Sequence, residues 1–314
     1  MPNPMGDLSS LSRETPALVF VNPCAGGGRA RTYLPRIKNL FAAQQFHAEF
    51  VFTSSMKELE SRTRTAISAG RRVLLAMGGD GTFQGLVNAA YSSDALLGIL
   101  PTGGGNDFAA ALGIPKNPLA AVEAILAGRP RSVDLLRART ADGRERLYVG
   151  GGGLGLDAEA ARYAIAYRRV PGRLRYVAAA LRALSEFSPL TVLAEFPGGE
   201  SPPMEASVLL AAVLNTPTYG AGVRLAPSAQ IDDGLLTAIF LRDLTALQVL
   251  ARVPRLVTRG DLPESLLKRV SAKRVRLTAR RPCLFHGDGE ILGPAPVEIE
   301  VVPRAIRVLA PTPR

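Results

Sequence analysis

The length and composition of the chain are those of a folded globular protein. With 314 residues and 47% hydrophobic side chains, it can bury a large core and has room for about two domains, which excludes a disordered or fibrous protein. Its formal net charge of +11 favours an anionic partner, such as a phosphate ester, a nucleic acid or an acidic membrane surface. Tryptophan is absent, and no arginine-rich run is interleaved with aromatic residues, so we expect no specific nucleic-acid partner.

The cysteines and the apolar runs bear on the cellular compartment of the protein. Cys24 and Cys283 lie far apart in the sequence and form no metal-binding pattern, which is typical of a reduced, cytoplasmic chain. The first residues show no signal-peptide pattern. The longest uncharged apolar runs, such as Val208–Leu214, are far too short to cross a bilayer. A lipid substrate would therefore have to be reached at the membrane surface.

Up to about residue 135, short apolar runs alternate with helical stretches. The predicted strands are Ala17–Val21, Ala48–Phe52, Arg72–Met77, Leu96–Leu100 and Ser132–Leu136. Strands that alternate with helices predict parallel βαβ units and a doubly wound, Rossmann-like sheet. In such a sheet, ligands bind at the carboxyl ends of the strands.

Beyond residue 135 the pattern is typical of antiparallel strands. The predicted strands are Leu147–Val149, Leu190–Phe196, Glu205–Leu214, Leu235–Leu241, Arg274–Thr278 and Val297–Val302. Helical stretches at Ala158–Phe187 and Thr245–Leu256 interrupt them. These patterns predict a second domain that is rich in β-strands. Because no linker is visible, we expect the domains to pack together, with the active site in the cleft between them.

The most informative segment is the apolar run that ends in Gly78-Gly79-Asp80-Gly81-Thr82. Glycines permit positive φ and remove the Cβ atoms that would hold a phosphate away, and Asp80 could bind Mg²⁺ directly or through water. A nucleotide-dependent phosphotransferase is the first hypothesis. An ordinary tight turn is the alternative.

Two more glycine-rich loops follow predicted strands, at Asn22–Ala30 and Pro101–Phe108. Because parallel strands end at one edge of a sheet, all three loops should face one crevice. The amides of Asn22–Ala30 could bind phosphate at a helix N-terminus. The loop matches neither a Walker loop nor a GxGxxG fingerprint.

Asp80, Asp107 and Asp134 lie at or just past three predicted strand ends, each 27 residues from the next. Together they could hold Mg²⁺ beside a triphosphate, because Mg²⁺ prefers one or two carboxylates together with waters and phosphate oxygens. Asp107 could instead be a helix N-cap. Asp134 could simply end a strand.

A last glycine turn, His286-Gly287-Asp288-Gly289-Glu290, also carries carboxylates. Glu290 could accept a hydroxyl proton, although a plain hairpin with exposed acids is the alternative. His286 and His47 are the only histidines and have no neighbouring metal ligands in the sequence. Because no GxSxG motif occurs, a Ser-His-Asp hydrolase is not expected.

In their order, these motifs resemble those of the diacylglycerol kinase catalytic family, which includes sphingosine kinases and bacterial soluble lipid kinases. The motifs are Asn22-Pro23-x-x-Gly26, Gly78-Gly79-Asp80-Gly81-Thr82, Pro101-x-Gly103-x-x-Asn106-Asp107 and Asp288-Gly289-Glu290. The resemblance covers roughly residues 17 to 311. Several motifs in the right order are far more specific than any one of them.

This resemblance implies transfer of the γ-phosphate of ATP, with Mg²⁺, to a lipid hydroxyl, and diacylglycerol is the first choice of acceptor. It implies an NAD-kinase-like nucleotide domain at 1–134, joined by a returning strand at 306–314. A β-rich sandwich domain that binds the lipid substrate would be 135–305. The enzyme would be cytoplasmic and would associate with the bilayer surface during catalysis. A homodimer is left open.

The resemblance also assigns roles to individual residues. The nucleotide-binding residues it implies are Asn22, Pro23, Gly26, Gly27, Gly78, Gly79, Asp80, Gly81, Thr82, Gly103 and Asn106. Asp80, Asp107 and Asp134 would organise the catalytic magnesium. Asp233, with Asp232 as the second choice, would bind a structural magnesium. Glu290 would be the general base, with Asp80 as its competitor.

Two departures from the family pattern leave other functions open. Ala25 replaces the family's usual serine and Gly104 its usual threonine, which removes two hydroxyls and could weaken the activity. The alternatives are a kinase for phosphatidylglycerol or a sphingoid base, a kinase for a soluble NAD-like substrate, and a catalytically weak regulator that binds lipid or nucleotide.

One segment could bring the protein to a membrane. Residues Tyr167–Val177 mix arginines, tyrosines and apolar side chains, a pattern that could dock on anionic headgroups. A solvated, partly buried helix is the alternative.

Overall fold

The computed structural model describes residues 16–312 apart from 168–173, 187, 221, 246–247, 249–250, 253, 256–257, 259 and 261. The described residues form two compact units. The first unit runs to Val133 and resumes at Arg304, whereas the second is Asp134–Pro303.

The first unit is a parallel sheet with helices between its strands. Its strands are β1 (Ala17–Val21), β2 (Ala48–Phe52), β3 (Val73–Gly78) and β4 (Leu96–Pro101). Its helices are α1 (Arg29–Ala43), α2 (Met56–Ser68), α3 (Asp80–Ala90), α4 (Asp107–Ala111) and α5 (Pro118–Leu126). The strand order is β2-β1-β3-β4, and each neighbouring pair is parallel. The predicted Rossmann-like sheet is thus confirmed.

Helices of this unit begin and pack as their sequences dictate. Leu34, Ile37 and Phe41 form the buried stripe of α1, at the helical spacing of an amphipathic segment. Ser55 caps α2 by accepting a hydrogen bond from the amide of Glu58. The Glu58 carboxylate in turn accepts bonds from Ser54, which satisfies further groups at the start of the helix.

Two long strands, β5 (Arg129–Thr140) and β15 (Val297–Ala310), contribute residues to both units. In the first unit, Arg307 and Val308 of β15 pair in parallel with β4. The prediction that Asp134 lies at a strand end is wrong. Strand β5 continues well beyond it, because its later residues pair with the antiparallel strand β6 (Glu145–Tyr148).

The second unit is built mainly of antiparallel strands, as predicted. After β6 its strands are β7 (Gly151–Gly155), β8 (Leu190–Glu195), β9 (Met204–Leu214), β10 (Leu236–Arg242), β11 (Leu267–Ala272), β12 (Arg274–Ala279), β13 (Leu284–Gly287) and β14 (Glu290–Pro294). They follow the order β14-β13-β7-β9-β8-β12-β15, and β10 pairs with both β9 and β11. The short strands β7, β11, β13 and β14 were not predicted.

The helical stretch predicted at 158–187 consists of two helices, α6 (Leu156–Ala166) and α7 (Leu174–Glu186). The arginine-rich core of the proposed membrane segment, 168–173, lies outside the described residues. Much of the helix predicted at 245–256 also lies outside the described residues. Within the described part of the chain, no helix is long and apolar enough to span a membrane.

Aromatic packing connects the helices that follow β3 and β4. The rings of Phe83 in α3 and Phe108 in α4 stack with centroids 5.3 Å apart, and both side chains are fully buried. This contact supports the glycine-rich loops that precede the two helices.

Replacing Phe108 should therefore destabilise the first unit strongly. We expect Phe108→Ala to cost about 3–5 kcal/mol, because it removes buried surface and leaves a cavity. Phe52→Ala is the matched control, since Phe52 is 50% exposed and its loss should cost less than about 1 kcal/mol. Urea unfolding followed by circular dichroism gives the free energy of unfolding of both variants. Equal losses of this free energy would contradict the assigned packing.

Candidate functional site

The loops after β1, β3 and β4 are held together at the carboxyl edge of the first unit's sheet. The amide of Asn22 donates to the carbonyl of Met77 at 3.0 Å. The amides of Thr102 and Gly103 both donate to the carbonyl of Gly78, at 2.8 and 3.1 Å. The structure therefore brings the three predicted loops into one cluster.

Glycines allow these backbones to touch. A Cβ atom on Gly103 would lie only 2.5 Å from the Cα of Gly79. Gly26 has φ of +60°, and a Cβ there would collide with the carbonyl oxygen of Thr102. Glycine is suited to these positions for two reasons. It permits a left-handed backbone, and it lacks the Cβ atom that would hold the loops apart.

Asp80 is the central side chain of the cluster. It is the first residue of α3, and one carboxylate oxygen accepts the amide of Asp107 at 2.9 Å. Its other oxygen accepts the amide of Phe108 at 3.3 Å. A carboxylate placed on the first amides of a helix is stabilised by their partial positive charge. The β3 loop is thereby fixed to the start of α4.

The suggestion that Asp107 is the N-cap of α4 is wrong. Asn106 occupies that position with φ of +62°, and Asp107 is the first helical residue. The capping acceptor comes from Asp80 instead, as described above. Asp107 is itself largely buried, with 9% of its surface exposed.

Polar side chains complete the cluster. The Asn22 amide nitrogen donates to Thr82 Oγ1 at 3.1 Å, while its oxygen accepts the amide of Cys24. The Asn106 amide nitrogen donates to the carbonyl of Gly103 at 3.0 Å. Among the described residues, the buried Asn106 Oδ1 and Thr102 Oγ1 have no hydrogen-bond partner. Such atoms need a donor, and water held by a bound ligand or cation can supply one.

Asp134 lies in the second unit and holds a turn there. Its Oδ2 accepts the amide of Gly234 at 2.7 Å, and its own amide donates to the carbonyl of Ile231 at 2.7 Å. The Asn215 side chain donates to the carbonyl of Asp134 at 3.0 Å. The fully buried Asp134 is therefore an anchor for residues 231–235.

The same turn contains Asp232 and Asp233. The Asp233 carboxylate accepts the amide of Leu235 at 3.0 Å, and Gly234 has φ of +74°. Within the described residues, no three His, Cys, Asp or Glu side chains form a closed metal cluster. Magnesium does not require one, because it takes one or two carboxylates and completes its shell with carbonyls and waters. This turn and the Asp80 loop fit that requirement.

Asp288 is not an exposed acid of a plain hairpin. It follows β13 with φ of +50°, and Gly289 with φ of +85° completes a two-residue turn. Its carboxylate accepts the amides of Val149, Gly150 and Gly151 at 2.7, 2.9 and 3.2 Å. Burial raises the pKa of the Asp288 carboxyl to about 6, and these three amides act in the opposite direction.

Glu290 is the first residue of β14, directly after this turn. Its side chain is 33% exposed, and its Oε2 lies 3.9 Å from an Arg146 nitrogen. Glu290 is therefore partly open to solvent while the turn beside it is fixed. This combination suits a group that exchanges a proton with a ligand.

Sequence reasoning missed a buried cluster formed by Asp157, Tyr219 and His286. Asp157 Oδ2 accepts the Tyr219 hydroxyl at 2.6 Å and lies 3.0 Å from His286 Nε2. Tyr219 Oη and His286 Nε2 are 2.7 Å apart. Burial, followed by the effect of Asp157, raises the pKa of the Tyr219 phenol well above its ordinary value. The Tyr219 hydroxyl therefore remains a donor.

The second unit also contains a cavity of about 300 Å³ between α6, α7 and the segment before β13. Its lining combines apolar side chains such as Ala183, Leu190 and Leu284 with Arg162 and Arg281. Glu159 and Glu186 also line the cavity, so charged and apolar side chains are mixed and could contact both parts of an amphipathic ligand.

Two family models match the chain. Residues 16–138 match the diacylglycerol kinase catalytic domain. Residues 152–310 match the YegS C-terminal NAD kinase beta sandwich-like domain. The second match confirms the predicted β-sandwich character of the second domain.

Individual relatives agree with these models. A diacylglycerol kinase of Mycobacterium tuberculosis is 31% identical, over 78% of this chain and 79% of the relative. A diacylglycerol kinase of Bacillus subtilis is 25% identical, over 94% and 96% of the two chains. The crystal structure of a diacylglycerol kinase from Bacillus anthracis has the same fold, with a TM-score of 0.71 at 20% identity over 94% and 97%. The chain belongs to the diacylglycerol kinase catalytic family of lipid kinases.

Proposed function

We propose that the protein transfers the γ-phosphate of ATP, with Mg²⁺, to the hydroxyl of a membrane lipid, and that diacylglycerol is this acceptor. The observation that carries the proposal is the Asp80 carboxylate, which is fixed to the start of α4 among three touching glycine loops. A loose phosphoryl-transfer transition state needs positioning and charge neutralisation, which is what such a cluster supplies.

The nucleotide is proposed to bind at this loop cluster. Its phosphates would lie against the backbone amides of Gly26, Gly27, Gly79 and Gly103. The two unpartnered acceptors, Asn106 Oδ1 and Thr102 Oγ1, support a ligand that carries bound water. Asn22, Pro23, Gly78, Gly81 and Thr82 would shape the remaining wall.

Magnesium is proposed at two places. Asp80 and Asp107 would hold the catalytic ion, and the family resemblance implies Asp134 as a further member of the set. Asp233, with Asp232 as the second choice, would hold a structural ion in the turn that Asp134 anchors. The chemistry that the catalytic ion supplies when bound is neutralisation of charge on the phosphate oxygens.

Glu290 is proposed as the general base. Both oxygens of Asp80 already accept backbone amides, whereas Glu290 is one-third exposed, so Glu290 is the better acceptor of a proton. In the proposed step the lipid hydroxyl gives its proton to the Glu290 carboxylate. The hydroxyl oxygen forms the new bond to the γ-phosphorus, and the bond from that phosphorus to the oxygen of ADP breaks.

The acceptor is proposed to come from the bilayer surface, with its apolar part in the 300 Å³ cavity of the second unit. The mixed apolar and charged lining of that cavity supports an amphipathic ligand. Membrane docking by residues 167–177 remains a proposal from the sequence.

Removal of the Asp80 charge tests the proposed chemistry. We expect Asp80→Asn to lower kcat by about 10²- to 10³-fold, because a preorganised charge beside the phosphates is lost. The assay follows label from γ-labelled ATP into extractable lipid in mixed micelles of diacylglycerol with Mg²⁺. Asp94→Asn, which alters an exposed acid of the same unit, should keep full activity.

Three other outcomes would contradict the proposal. Labelling of a soluble acceptor instead of lipid would indicate the NAD-kinase-like alternative. ATP binding without turnover would indicate a regulator. Equal activity of Asp80→Asn and the wild type would remove Asp80 from the reaction.

Thermal unfolding tests the structural magnesium. Without nucleotide, MgCl₂ should raise the Tm of the wild type, because an ion that binds only the folded state stabilises it by about 2.7 kcal/mol at a hundredfold excess over Kd. Asp233→Ala should lose this response, whereas Asp243→Ala, which removes an exposed acid, should retain it. An unchanged response in Asp233→Ala would place the ion elsewhere.

A charge in the cavity tests the acceptor site. Leu284 lines the cavity and is 40% exposed, so Leu284→Glu should fold and raise the KM for diacylglycerol about tenfold, with the KM for ATP unchanged. Phe52→Glu alters a comparably exposed side chain in the first unit and should leave both constants unchanged. An unaltered lipid KM in Leu284→Glu argues against acceptor binding in this cavity.

A further inference from the structure

The cluster of Asp157, Tyr219 and His286 is not explained by the reaction itself. His286 lies in β13, two residues before Asp288 and four before Glu290. We propose that this cluster positions the Asp288-Gly289 turn, and through it Glu290, for proton transfer. The inference rests on the proposed function of Glu290 as the base.

The neighbouring strand cannot hold the hairpin through side chains. Strand β13 pairs with β7 only through His286 with Gly153 and Gly287 with Gly152. The facing residues of β7, Gly151–Gly153, are all glycine, so they offer backbone but no packing surface. Apart from the core packing of Phe285 and Leu292, the hairpin is therefore fixed by its own polar side chains.

Two such side chains are present. Asp288 binds the three amides of residues 149–151, as described above. His286 contacts Asp157 at the start of α6 and Tyr219 in the segment after β9. The side chains of His286 and Asp157 are only 6% and 12% exposed, so water competes weakly for these bonds.

The glycines of β7 provide the space for this cluster. A Cβ on Gly153 would collide with Oδ2 of Asp157, and one on Gly151 would come within 2.8 Å of the Tyr219 ring. The Tyr219 and His286 rings are stacked with centroids 6.1 Å apart. The glycines of β7 therefore leave room for the side chains of the cluster, in addition to pairing with β13.

The hydrogen bonds define one arrangement of protons. Asp157 Oδ1 accepts the amide of Ala158, and Oδ2 accepts the Tyr219 hydroxyl, so His286 Nε2 serves as a further donor to Oδ2. His286 Nδ1 is buried and has no partner among the described residues. A proton there would be an unsatisfied donor, which favours the tautomer with its proton on Nε2.

Tyr219→Phe is the most informative variant, because it keeps the ring and removes only the hydroxyl that contacts Asp157 and His286. We expect kcat to fall about 10- to 100-fold, with the KM for ATP within twofold of the wild type, since a displaced base slows the chemical step and leaves nucleotide binding intact. His286→Gln, which can still donate to Asp157, should lose less than His286→Leu. His47→Gln, which replaces the other and exposed histidine, should be unchanged.

A double variant separates positioning from a general loss of structure. If Tyr219 acts through Glu290, Tyr219→Phe should cost less than about twofold when added to Glu290→Gln, since the base is already absent. Equal cost in both backgrounds would overturn the inference, as would a wild-type kcat for Tyr219→Phe.

Amide hydrogen exchange gives a readout that does not require activity. The Asp288 amide, bonded to the carbonyl of Gly151 at 2.9 Å, and the three amides held by Asp288 should exchange faster in Tyr219→Phe. A wild type that phosphorylates no lipid would overturn the proposed function. Exchange unchanged from the wild type would overturn the inference, whatever the activity.

Discussion

The hydrogen bonds from the first two amides of α4 to Asp80 are the contact on which the first unit's site depends. They join the loop after β3 to the loop after β4, and a carboxylate can make them only if the two backbones nearly touch. That approach requires glycine at 103 and leaves little room for a Cβ atom at 79. The stacked Phe83 and Phe108 rings pack together the two helices that follow these loops. The Asp80 carboxylate, the glycines and the packed phenylalanines therefore all stabilise the same arrangement of the two loops.

In the second unit, too, carboxylates hold glycine-rich backbone in place. Asp134 holds the amide of Gly234, and Asp288 holds three amides of the glycine-rich segment before and within β7. Like Asp80, each is a carboxylate that fixes a flexible glycine segment across a long sequence separation. Such segments lose more conformational entropy on folding than others, so a charge-assisted hydrogen bond is an effective way to order them. Asp80, Asp134 and Asp288 thus share one structural role, whatever chemistry is proposed for them.

The sequence predicted those features that depend on local pattern. Strands β1 and β2 were predicted to the residue, because short apolar runs between helical stretches carry their own signal. The glycine loops and their acids were also found. Strand β7 was missed because consecutive glycines have no strand propensity, and only its neighbours β9 and β13 make it a strand. Asp134 was misplaced because the continuation of β5 depends on its pairing with β6.

The contacts within the site are mostly long-range and could not be read from spacing. Asp157, Tyr219 and His286 are separated by 62 and 67 positions along the chain, and nothing local marks them as partners. Asp80 was predicted to face phosphate, but its bond to α4 is a consequence of the sheet order. Local pattern therefore identified Asp80, and the topology supplied its partners.

A crystal structure of the protein with Mg²⁺ and a non-hydrolysable ATP analogue would test the proposed site at atomic detail. The triphosphate should lie against the backbone of Gly26, Gly79 and Gly103, with the ion or its waters within hydrogen-bonding or coordination distance of Asp80. A nucleotide bound elsewhere, with the glycine loops unaltered and empty of phosphate, would contradict the assignment of this cluster as the phosphoryl-transfer site.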